Sequence, residues 1–128
     1  LIRLNGNHLS FSGANNPLWI IRNETKEVED IKGCKQSIGL TNKPLPFITH
    51  EVDLKEGDCV YVFTDGYSDQ FGGPKGKKFK TRAFKELLQS VCAKPIDQQK
   101  GVVENTLKDW KGHLEQVDDI CVIGLKII

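Results

Sequence analysis

The residues of this chain best suited to chemistry are acids that stand at the ends of apolar runs. Gly57 to Gln70 reads Gly-Asp-Cys-Val-Tyr-Val-Phe-Thr-Asp-Gly-Tyr-Ser-Asp-Gln. Within it, Cys59 to Phe63 is an unbroken apolar run, mostly β-branched and aromatic, whose length suits a strand covered on both faces. The run stops at Thr64-Asp65-Gly66, so Asp65 sits at the tip of a rigid element, Gly66 lets the backbone turn beside it, and Asp69 follows three residues later. Carboxylates held this way are hard oxygen ligands of the kind that bind Mg2+ or Mn2+. Asp-Gly is equally a hairpin-turn dipeptide, and the stretch alone leaves both readings open. A second pair of acids, Asp118-Asp119, precedes the largely apolar segment Ile120 to Ile128. If that segment lies antiparallel beside Cys59–Phe63, its start meets the other's end and an aspartate there approaches Asp65. The alternative is that Asp-Asp caps a turn.

The elements that must position these acids follow from pattern. Asn5-Gly6 between Ile2–Leu4 and His8–Ser12 reads as a hairpin. Gly13-Ala14-Asn15-Asn16-Pro17 is a turn cluster, with Asn15 and Asn16 at its tip, and leads into an apolar strand at Leu18–Arg22. A short strand is expected around Val28–Ile31, and a loop without helix over 33–46, which holds two glycines and two prolines. Loose alternation from Phe47 to Leu54 predicts a strand, turned by Lys55–Asp58 into an antiparallel pairing with Cys59–Phe63. His50 stands alone on it and reads as structural or solvated. Phe71 to Lys80 predicts a flexible glycine-rich loop carrying Lys75, Lys77, Lys78 and Lys80. Its glycine spacing does not make a phosphate-binding loop, so the lysines read as a solvated face or as a patch for a phosphorylated partner. Helical periodicity covers Thr81–Cys92, ending before Pro95, and resumes through Val102, Val103, Leu107 and Trp110 to Gly112.

Composition narrows the function classes. The 128 residues fit one domain, and 18 basic against 17 acidic side chains leave a net charge of +1, which favours neither nucleic acid nor a charged membrane surface. Four single cysteines, Cys34, Cys59, Cys92 and Cys121, form no zinc-ligand spacing and suit a reducing cytoplasm. No apolar run reaches the roughly twenty residues of a membrane span, and no signal peptide is visible. The chain begins Leu1-Ile2-Arg3-Leu4 without methionine, and the expectation is a piece of something longer.

Taken in order, Ser12-Gly13-Ala14-Asn15-Asn16-Pro17, Gly57-Asp58 with Thr64-Asp65-Gly66, and Asp118-Asp119-Ile120 resemble the C-terminal half of the metal-dependent serine/threonine phosphatases, the protein phosphatase 2C superfamily, in its SpoIIE/RsbU branch. The resemblance covers nearly the whole chain. It implies an α+β fold in which a sandwich of antiparallel β-sheets is flanked by α-helices, with Mg2+ or Mn2+ ions at one end. It implies a water activated by those ions as the nucleophile on phosphoserine or phosphothreonine, with no catalytic side chain attacking. Asp65 with the adjoining Gly66, and Asp118, match metal-site positions; Asp119 tunes the site; Asp69 matches an acid linked to a third, weaker ion. Asn15 lies near the third-ion region, and Asn15, Asn16, Lys75, Lys77 and Lys78 are the expected substrate-binding residues.

The family's first metal motif, an Asp-Gly in an earlier strand, is absent from these residues. The expectation is therefore the C-terminal part of a single domain, inactive alone, forming the output end of a bacterial signalling protein with an upstream sensor domain. Its substrate would be a phosphorylated protein such as an anti-sigma-factor antagonist, and open sheet edges would favour a homodimer. The competing reading is a non-catalytic regulatory domain that docks a partner through the lysine loop. Nucleic-acid binding by the same loop is weaker, since one short patch releases few counterions.

Overall fold

The structure, a computed structural model, describes residues 1–128. Its elements are β1 (Ile2–Asn5), β2 (His8–Phe11), β3 (Leu18–Ile21), β4 (Val28–Ile31), β5 (His50–Asp53), β6 (Cys59–Phe63), α1 (Gly66–Asp69), β7 (Phe71–Gly72), β8 (Lys77–Lys78), α2 (Thr81–Val91), α3 (Ile96–Lys111) and β9 (Val122–Lys126). The strands form one sheet in the order β1-β2-β5, a second in the order β4-β3-β6-β9, and a two-stranded ribbon of β7 and β8. Every strand pairing is antiparallel.

The central strands are continuously apolar because both of their faces are covered. On β3, Leu18 and Ile20 join Leu9 and Phe11 of β2 and Val60 of β6 in the core between the two sheets. Trp19 and Ile21 point the other way and pack with Cys59, Tyr61, Tyr67 and Phe84 under the helices. Side chains two residues apart share a face, so a strand between two apolar layers needs apolar residues at every position. Phe84 and Leu88 are fully buried and supply the inner face of α2. α3 ends where Gly112 takes a φ of 53°, a conformation that glycine adopts without steric cost.

Four expectations need correction. β5 does not pair with β6: Phe11↔His50 through His8↔Asp53 zip it to β2 in the other sheet. Leu54 to Asp58 is thus a corner that carries the chain across the sandwich, with Leu54 buried between the sheets. The strand predicted from Phe47 begins only at His50. His50 lies within 6.4 Å, centroid to centroid, of the Phe11 ring. The glycine-rich stretch at 71–80 is a small hairpin, not a flexible loop, because Gly72 and Gly73 lie flat on Trp110 and Gly73 N donates to Trp110 O at 2.8 Å. Finally, Asp118 and Asp119 do not open the last strand, which starts at Val122.

Candidate functional site

The acid-bearing segments meet at one end of the four-stranded sheet. β9 lies antiparallel to β6, with Phe63 opposite Val122. Beyond that pair the two chains stay joined through Thr64. Its N–H donates to Cys121 O at 3.0 Å. Its hydroxyl donates to Asp119 O at 2.8 Å and accepts from Cys121 N at 3.0 Å. A single threonine side chain therefore welds the residue before Asp65 to the residues on either side of Ile120. Gly66 completes the fit, since a Cβ there would run into the Asp119 carbonyl oxygen. Glycine is required here for close approach of two backbones.

Asp65 is the N-cap of α1, but its side chain makes no capping hydrogen bond and is exposed. The Asp-Gly dipeptide thus starts a helical turn and does not make a hairpin. Asp118 and Asp119 are exposed, and Asp118 Oδ1 accepts from Asp119 N at 2.8 Å. Asp69 closes α1, and its carboxylate pairs with Lys78 Nζ at 3.1 Å. Lys78 also lies 5.8 Å from the centroid of the Phe71 ring. These carboxylates fit Mg2+ or Mn2+ in kind, as hard oxygen donors. No group of three His, Cys, Asp or Glu side chains converges closely enough to hold an ion. What the chain brings together is backbone: Thr64 and Gly66 hold the Asp65 turn against Asp119.

The other residues singled out by sequence lie around the same end or beside it. Asn15 takes a φ of 63°, and its backbone N–H donates to Cys34 O at 2.8 Å. Gly13 and Gly33 let these two loops cross, because a Cβ on either would press on Asn16 O. Asn15 and Asn16 are exposed, and Asn16 lines a groove of about 430 Å³ together with Thr64, Phe63 and Cys121. Lys75, Lys77 and Lys78 are exposed on the β7–β8 hairpin. Lys78 alone contacts an acid of the candidate site.

Two residues that organise this end carry no chemical signal of that role in the sequence. Thr64 reads in the sequence only as the start of Thr-Asp-Gly, yet it makes the cross-strand weld. Gln70 is 1% exposed and donates to the Glu115 carbonyl at 2.9 Å. A hydrophilic residue just past a turn carries no local sign of such burial. All four cysteines are free, with Cys59 and Cys92 buried, and no helix is long and apolar enough to cross a membrane.

Two packed antiparallel sheets with helices on the outer face, and acids lying where β6 ends and β9 begins, are the architecture of the PP2C fold. The chain belongs to the SpoIIE family: the family described as "Stage II sporulation protein E (SpoIIE)" matches residues 1–128. Among solved structures it is similar to the SiaA-PP2C domain of Pseudomonas aeruginosa, with 30% identity and a TM-score of 0.83 over 96% of this chain and 48% of that one. The PP2C phosphatase domain of SpoIIE from Bacillus subtilis, solved with a fragment of its regulatory domain, is 20% identical with a TM-score of 0.72, over 97% and 35% of the two chains. The Mycobacterium tuberculosis serine/threonine phosphatase PstP is 14% identical with a TM-score of 0.58, over 98% and 57%. The chain spans about half the length of the SiaA domain that it matches. A comparison with curated proteins gave no significant match.

Proposed function

We propose that this chain is the C-terminal part of a metal-dependent phosphoserine/phosphothreonine protein phosphatase domain. The observation that carries the reading is the Thr64 weld, which joins the Asp65 end of β6 to the Asp118-Asp119 segment across a long span of sequence. On this reading Asp65 and Asp118 are ligands for Mg2+ or Mn2+, and Asp119 orients the site. The catalytic domain of PstP has been solved with two manganese ions, which supports the choice of metal. When bound, divalent ions of this kind lower the pKa of water and offset charge on phosphoryl oxygens.

The protein's own part is positional. Thr64 and Gly66 hold the two acid segments at backbone contact. Lys75 and Lys77, exposed and unpaired on the hairpin, draw an anionic phosphoprotein toward that end. Asn16 borders the groove beside Thr64, and with the adjacent exposed Asn15 it completes the substrate surface. With fewer than three converging ligands, residues 1–128 alone are inactive, and the remaining acids come from chain outside them. The full-length protein would be the output end of a bacterial signalling system governed by a sensor domain, acting on a phosphorylated protein such as an anti-sigma-factor antagonist. The regulatory-domain fragment solved with the Bacillus subtilis SpoIIE phosphatase is in keeping with such an arrangement.

The test is Mn2+-dependent hydrolysis of a phosphopeptide by the full-length protein. Turnover is expected, and Asp65→Asn is expected to lower it at least a hundredfold, a loss of about 2.7 kcal/mol in transition-state stabilisation. Unchanged turnover in Asp65→Asn would remove Asp65 from the site. One observation favours a docking role instead: Asp69 is already occupied by Lys78. That reading predicts no turnover at saturating Mn2+, and loss of partner binding when Lys75, Lys77 and Lys78 are replaced by Glu.

A further inference from the structure

Asp118 sits in a stretch that receives few hydrogen bonds from the rest of the fold. Between the end of α3 and Asp118 the hydrogen bonds are mostly local: Leu114 N donates to Lys111 O, Lys111 Nζ to Leu114 O, and Gln116 Nε2 to Asp118 O. One contact comes from elsewhere in the fold. Gln70 Nε2 donates to Glu115 O at 2.9 Å and to Phe71 O at 3.0 Å. The next outside anchor is Thr64, which takes hold at Asp119. Asp118 is therefore suspended between two tethers, one at 115 and one at 119.

Gln70 is itself rigidly held. Its side chain is buried, and its backbone carbonyl accepts from Trp110 Nε1 at 2.9 Å and from Phe79 N at 3.0 Å. Residue 70 thus joins α1, which begins beside Asp65, to α3, to the lysine hairpin and to the segment leading to Asp118. Gln70 Oε1 has no protein partner. Its two donor hydrogens, and not its acceptor, account for an amide in this place, because they satisfy the carbonyls of Phe71 and Glu115.

We propose that Gln70 is a positioning residue: by pinning the chain at Glu115 it fixes where Asp118 lies relative to Asp65. The proposal rests on the reading that these acids hold divalent ions, and it assigns to Gln70 a share of the cation affinity without contact to the cation. Groups that orient metal ligands from behind typically govern affinity by about 10- to 100-fold.

The experiment uses the full-length protein and compares the native chain, Gln70→Met and Asp65→Asn. Methionine fills a similar volume but offers no donor to Glu115 O. The readouts are calorimetric Mn2+ titration and amide hydrogen exchange. Gln70→Met is expected to weaken Mn2+ binding about tenfold. Exchange at residues 116–118 should quicken while that of Val60 and Tyr61 in β6 stays as in the native chain. A general structural role would instead quicken exchange across β6 and leave the affinity of the folded fraction unchanged. Mn2+ affinity within twofold of native in a folded Gln70→Met would overturn the proposal. If that variant fails to fold, Gln70→Asn, which retains the amide but is too short to reach Glu115, faces the same criterion. A native protein that binds Mn2+ no better than Asp65→Asn would instead overturn the metal reading itself. Exchange at 116–118 would then still decide whether Gln70 pins the segment.

Discussion

Asp58 and Asp65 are the same residue type at the two ends of β6, each beside a glycine, and the fold uses them in opposite ways. Asp58 is 1% exposed. Its Oδ1 accepts from Asn23 N at 2.8 Å, and its Oδ2 accepts from Arg22 Nη1 at 2.8 Å and Lys55 N at 2.9 Å. Arg22 is fixed in turn by Glu29 at 2.6 Å. Burial pushes the Asp58 carboxyl up, but the Asn23 and Lys55 amides and the Arg22 guanidinium outweigh it and hold the group below its usual range. Asp65, seven residues on, is exposed and its side chain caps nothing. An acid with its lone pairs consumed by the fold is architecture, whereas an acid held on a rigid tip with its lone pairs free is available to a ligand.

This contrast is open to direct attack. The largest expected effect comes from Asp58→Ala, which strands a partly buried guanidinium and two amide hydrogens; it should destabilise the protein by about 3 kcal/mol. Asp65→Asn should change stability by no more than about 0.5 kcal/mol, because nothing in the fold leans on that carboxylate. Thermal denaturation of the two variants checks both, and equal losses would erase the distinction. Next is Gly66→Ala, which drives a methyl group into the Asp119 carbonyl. It should cost about 1–3 kcal/mol and separate the two acid segments, so Mn2+ affinity should fall together with the melting temperature. The smallest effect lies in acid titration. A carboxylate whose folded pKa lies below its unfolded value of 3.8 contributes fully above that value and loses its contribution as the pH falls through the lower one. Melting temperature followed from pH 6 to pH 2 should therefore drop below about pH 4, and the drop should be shallower in Asp58→Asn.

What could be read in the sequence divides along the same line. Local pattern gave β3, β6, α2 and α3, because unbroken apolar runs and 3.6-residue periodicity reflect burial on two faces or one. It missed the pairing of β5. Lys55–Asp58 looks like a hairpin connection, but Asp58 is drawn into the Arg22 cluster and the chain leaves one sheet for the other at that corner. Nothing within five residues of Asp58 announces a partner at position 22. The rigid hairpin at 71–78 was missed for the same reason: its anchor, Trp110, lies nearly forty residues away. Asp65 was legible as an acid just past a strand end, and Asp118-Asp119 as acids ahead of an apolar segment, though the strand itself begins only at Val122. Thr64 and Gln70, which bring them together, were not, since their work is done through hydrogen bonds to distant backbone.

We propose that Asp65 and Asp118, one on each side of the Thr64 weld, serve a single cation site. A double-variant cycle on Mn2+ affinity in the full-length protein tests it most directly. Asp65→Asn and Asp118→Asn should each weaken binding at least tenfold, and the combined variant should be little worse than the poorer single one, because groups that act as a unit are not additive. Independent, fully additive losses, or no loss in either single variant, would contradict the account.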